Sequence, residues 1–149
     1  MSTTDGISTE DWDVVHGLAV DVVNASDSDE DPTRQLLDYL EVLEVKYGPL
    51  PSILATRADY LEDDDPARET LLLRAHALAE ARGDTANVVL AAQSLAELHL
   101  SKKNLAEADR WLRRMREHIP ARGNDDYSKY ERLRAVYRGL AIKSDASIE

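Results

Sequence analysis

The segment Asp31-Pro32-Thr33-Arg34-Gln35-Leu36-Leu37 returns 34 residues later as Asp65-Pro66-Ala67-Arg68-Glu69-Thr70-Leu71, with four of the seven positions identical. Each copy reads as a helix start. The Asp carboxylate can accept the free amides of the first turn, and Pro fits the first helical position because its missing N–H has no partner there anyway. A second correspondence has an offset of 41: Leu54, Ala55, Ala67 and Leu71 fall on Leu95, Ala96, Ala108 and Leu112. The seven extra residues are about two helical turns, so they lengthen helices without turning their faces. A chain that restates one helical unit builds by stacking, because one unit cannot bury its apolar stripe alone.

The breakers agree. Six Gly and five Pro lie almost entirely between apolar-periodic segments, and no stretch alternates long enough to propose a strand. Seven helices are expected, over about 9–25, 32–47, 51–62, 66–82, 85–101, 104–118 and 126–142. Thr9 is the expected cap of the first, Asp31 of the second and Asp65 of the fourth. Gly48 and Gly83-Asp84 close the second and fourth, and Pro120 and Gly123 stop the sixth. Residues 1–8 and 143–149 lack an apolar face and are expected to be flexible tails around one domain, 9–142.

The clearest unit runs from Val89 to Pro120. It carries Leu95-Ala96, His99, the turn Asn104-Leu105-Ala106-Glu107-Ala108, then Leu112 and Pro120. In these residues and in its spacing the chain resembles the tetratricopeptide repeat family. Met115 departs from the pattern, standing where the family has Ala. A middle unit, about 48–84, fits more loosely, and the first, about 9–48, keeps Leu18-Ala19. The resemblance implies an all-α fold: three helical hairpins in a short right-handed superhelix, ended by a capping helix. Ala96 and Ala108 would let two backbones approach, with Leu95 and Leu112 filling the space beside them.

The resemblance also implies a concave groove that binds a peptide or a helix. Its lining would be Asp13, His16, Val20, Val23 and Asn24 in the first unit, then Ser52, Thr56, Asp59 and Tyr60, then Leu90, Gln93, Glu97, Leu100 and Ser101. The capping helix adds Glu131, Ala135 and Arg138. One branch of the family grips a C-terminal carboxylate with cations. The matching positions here hold His16, Val20, Ile53, Leu90 and Ser94, which argues against that ligand. A mixed apolar and acidic lining suits an amphipathic helix or a basic, partly apolar peptide.

Charge narrows the classes of function. The net charge is −11, with 17 acidic and three basic side chains in residues 1–65 but 12 and 15 in residues 66–149. A bare nucleic-acid binder is disfavoured at that sum. No apolar run reaches the roughly 20 residues of a membrane span, and the polar, acidic start is unlike a secretory signal, so a cytoplasmic protein is expected. The absence of Cys removes disulfides and thiolate chemistry.

Asp27-Ser28-Asp29-Glu30-Asp31 with Asp38 has the carboxylate spacing of a calcium loop, but Pro32 stands where the loop needs Gly, and Asp31 is already a helix cap. No pair among His16, His76, His99 and His118 has the spacing of a zinc site on one helix. No phosphate-cradling glycine loop or nucleophile turn is present. No catalytic residue, metal or cofactor is therefore expected. The main expectation is a non-catalytic adaptor or scaffold for a protein partner. The alternative is a homo-oligomeric regulatory or assembly module using a basic C-terminal surface, Arg110, Arg113, Arg114, Arg116, Arg132 and Arg138. RNA association is a weaker variant, suggested by Trp111, Tyr127, Tyr130 and Tyr137 among those arginines.

Overall fold

Capping decides where each helix begins, and most caps are local. In the computed structural model, which describes residues 3–25, 31–119 and 125–148, these residues form seven helices and no strand. They are α1 (Thr9–Val23), α2 (Pro32–Tyr47), α3 (Pro51–Asp59), α4 (Pro66–Ala81), α5 (Thr85–Ser101), α6 (Leu105–His118) and α7 (Asp125–Ile148). Asp31 accepts from the Arg34 amide at 3.1 Å and Asp65 from the Ala67 amide at 2.9 Å, so both copies of the repeated segment start helices. Asp84 and Asn104 cap α5 and α6 in the same way.

Several boundaries differ from the sequence reading. Ser8, not Thr9, caps α1, because the Ser8 amide is held by the Tyr47 hydroxyl and its Oγ reaches the Asp11 amide. α3 stops at Asp59 rather than about 62, where Tyr60 and Leu61 tighten into bonds three residues back. α7 continues to Ile148, so 143–148 is helix rather than the expected tail. Nothing between Ala141 and Ile148 breaks a helix, and loss of an apolar stripe alone does not end one. Pro120 and Gly123 lie outside the described residues, as do Asp27, Ser28, Asp29 and Glu30 of the calcium-loop spacing.

The expected N-terminal tail is corrected more sharply. Residues 3–8 form a strap against the helices, and Ile7 is fully buried beside Val15, Leu36, Leu40, Leu43, Leu50 and Ile53. Burying that one side chain is worth about 1.5–3 kcal/mol. Leu50, at the cap position of α3, has no side-chain oxygen. Asp5 fills the role from 47 residues away, accepting from the Ser52 amide at 2.7 Å and the Ser52 hydroxyl at 2.9 Å.

Each helix from α3 onward packs on the next, and α5 also touches α3 and α7. With four neighbours, α5 is buried nearly all round, from Asn87 to Leu100. Ala96 and Ala108 are fully buried in one cluster with Leu95, Leu112 and Met115. By contrast, α1 packs only on α2 among the described helices. The chain thus has a core at each end: α1, α2, the strap and the start of α3 (Leu50, Ile53) share one, α3 to α7 the other, with Leu54, Ala75 and Ala91 as a small third cluster.

Candidate functional site

α3 and α5 lie side by side but leave a cavity of ≈ 550 Å³ between their exposed faces. Helical spacing sets its walls. Ser52, Ala55, Thr56 and Asp59 come from α3, and Leu90, Gln93, Ser94 and Glu97 from α5. Thr3 and Thr4 of the strap, with Asn87, close one end, and Trp12 and Arg68 flank it.

The polar atoms of this cavity are only partly satisfied. The Gln93 side-chain amide donates to Glu97 Oε1 at 2.9 Å, which leaves Gln93 Oε1 without a partner. Arg68 donates from Nη1 to Asp63 at 2.5 Å, while its buried Nε has none. Asp59 has access to solvent, yet the surrounding protein desolvates its carboxylate and raises its pKa; Glu97 adds to the rise, while Arg68 and a hydrogen bond from Ser94 oppose it. Leu90 stands 47 % exposed among these groups. At the closed end, Asn87 Nδ2 donates to Asp84 at 2.7 Å and Thr4 at 3.0 Å, so strap and α5 are locked together.

Six of the fourteen groove residues named from sequence line this cavity: Ser52, Thr56, Asp59, Leu90, Gln93 and Glu97. The rest do not. Leu100 is 6 % exposed and belongs to the core, a correction that follows from α5 being packed on so many sides. Ser101 bonds back to the Leu98 carbonyl, and Tyr60 packs on the N-terminal core. Asp13, His16, Val20, Val23 and Asn24 are exposed on or just past α1, which does not reach α3; Trp12 is that helix's contribution instead. Ser94 was legible as a groove residue, one turn beyond Leu90. Arg68 was not, since it comes from the neighbouring helix α4.

The six arginines of the alternative surface divide into groups. Arg110, Arg113 and Arg114 line a crevice of ≈ 700 Å³ between α4 and α6. Each is paired within the chain: Arg110 with Glu107 at 3.5 Å, Arg113 with Asp109 at 2.9 Å, and Arg114 with Glu80 and with Glu117 at 3.1 Å. Arg114 is therefore not the outward-pointing cation expected, and its Nε also reaches His76 Nε2 at 3.3 Å. Arg116 lies over the Tyr127 ring at 5.3 Å, while Arg132 and Arg138 are exposed on α7. Trp111 is buried, and Tyr127, Tyr130 and Tyr137 pack against the core.

Among the described residues, no group of three or more His, Asp or Glu side chains is placed to hold a metal ion. No helix among them is long and apolar enough to cross a membrane. Compared with known proteins, the chain matches no family model, no curated protein and no solved structure.

Proposed function

We propose that this chain is a non-catalytic protein-binding module of the tetratricopeptide-like kind, which holds a peptide or helix of its partner between α3 and α5. The observation that carries this reading is the cavity itself. It joins an exposed Leu90 to the carboxylates of Asp59 and Glu97. That lining complements a basic, partly apolar segment: a Lys or Arg against the acids and an aliphatic side chain against Leu90. Packing of each helix on its successor, with α5 also touching α3 and α7, is the connectivity a row of helical hairpins needs. The buried Trp111 and core-packed tyrosines weigh against RNA, because they are not free to stack on bases.

The test is capture from lysate of the chain's own organism, nuclease-treated, at about 0.1 and about 0.5 M salt, where charge screening differs strongly. Leu90→Glu and Gln93→Ala should abolish retention of the partner, while Arg113→Glu with Arg116→Glu should spare it. The opposite pattern would transfer the binding site to the α6 surface.

A further inference from the structure

Nine large apolar side chains are strongly exposed among the described residues, and they are not scattered. Leu73 and Leu90 line the two crevices. The other seven lie on α1, α2 and α7, the first and last helices of the row. On α2, Val42 is 59 % and Val45 89 % exposed; on α7, Val136 is 47 % and Ile142 69 % exposed. A row of packed helices stays separate in solution when its end helices turn polar faces outward, and here apolar side chains interrupt the charged face at both ends.

The ends also differ in charge. α1 and α2 together carry seven acidic and two basic side chains, whereas α7 carries four acidic and five basic. Basic groups accompany the apolar positions of α7: Arg132, Arg138 and Lys143 are all exposed there. Two acidic ends repel each other, whereas the exposed face of α7 sets these three cations against Glu131. Acidic against basic is the pairing that lets the valines meet.

We propose that the chain assembles with copies of itself head to tail, the α1–α2 end of one copy docking on α7 of the next. Such an interface is heterologous: any open assembly keeps one free head and one free tail, so it runs on into a filament or closes into a ring. The α3–α5 cavity meets the head only at Trp12, and none of the four positions substituted below lines it, so the proposal is tested apart from the binding function above.

Sedimentation velocity of the full chain, from about 1 to about 500 µM, tests it over the range where weak interfaces fill. The mean mass should climb above the 16.6 kDa of one chain and fall back several-fold in association strength at high salt. Two variants then resolve the geometry. Val42→Arg with Val45→Arg blocks the head; Val136→Glu with Ile142→Glu blocks the tail. Each variant alone should be monomeric, and their equimolar mixture should give a 1:1 dimer and nothing larger. A wild-type chain that stays at single-chain mass throughout overturns the proposal. So does a single variant that still dimerises, which means a two-fold interface, or a mixture that fails to pair. All four substituted side chains are exposed, and a wild-type chain that stays monomeric overturns the proposal even if a variant misfolds.

Discussion

Asp5 is the residue on which the site's architecture turns. Its carboxylate caps α3 through Ser52 and approaches Asn87 of α5 at 3.5 Å, so it ties both walls of the cavity together at one end. Asp5→Ala should cost about 1–2 kcal/mol in urea unfolding, as for a lost helix cap, and should speed exchange of the Ser52 amide. Asp5→Asn keeps an acceptor and should recover part of the loss. His76 offers a second check. It is buried edge-on against Trp111 with ring centroids 4.9 Å apart, and its pKa is lowered from 6.5 because burial disfavours the imidazolium and Arg114 repels it. The unfolded chain therefore takes up this proton first as pH falls. Stability is fully present above about pH 6.5 and declines below it, and the decline should vanish in His76→Gln, measured as the urea midpoint at about pH 7.5 and about pH 5.5. Asp31 and Asp65 were legible as caps because each bonds within three residues of itself. Asp5 was not, because its partner is 47 residues distant and nothing local marks the pairing.

At the scale of elements, the turns repeat where the sequence does not. Gly83 and Lys103 both adopt positive φ, 67° and 58°, between consecutive helices. In each turn the next residue donates back to the helix just ended, Asp84 to Ala79 and Asn104 to His99, both at 2.9 Å, and then caps the helix that follows. Glycine takes this backbone freely, whereas Lys103 carries a Cβ in a region costing about 1–2 kcal/mol for an L-residue. After allowing for the greater freedom of Gly in the unfolded chain, Lys103→Gly should stabilise the protein by about 0.5–1 kcal/mol in thermal or urea unfolding. The turn at Gly83 was readable from its Gly-Asp pair, while that at Lys103 was marked only by the Asn after it. Likewise, α7 has no sequence stop before Ile148, so its end could not be inferred from the fading apolar stripe. The existence of all seven helices was legible, because apolar period and local breakers are written in each segment.

At the scale of the molecule, the sequence held the order of packing better than the faces. Amphipathic helices such as α6 declare which side is inward. α5 does not: it is apolar on most sides because four helices and the strap surround it, so Leu100 reads like Leu90 although one is core and the other faces the cavity. The first unit was assigned a share of the groove, but α1 packs on α2 and the strap, and only Trp12 reaches the cavity. What remains is a compact site between α3 and α5, closed at one end by the strap and mixed in character. Amide hydrogen exchange of the full chain, with and without its captured partner, tests that site most directly. The partner should slow exchange across residues 52–59 and 90–97 and leave α7 unchanged. Protection confined to α6 and α7, with α3 and α5 untouched, would contradict the account.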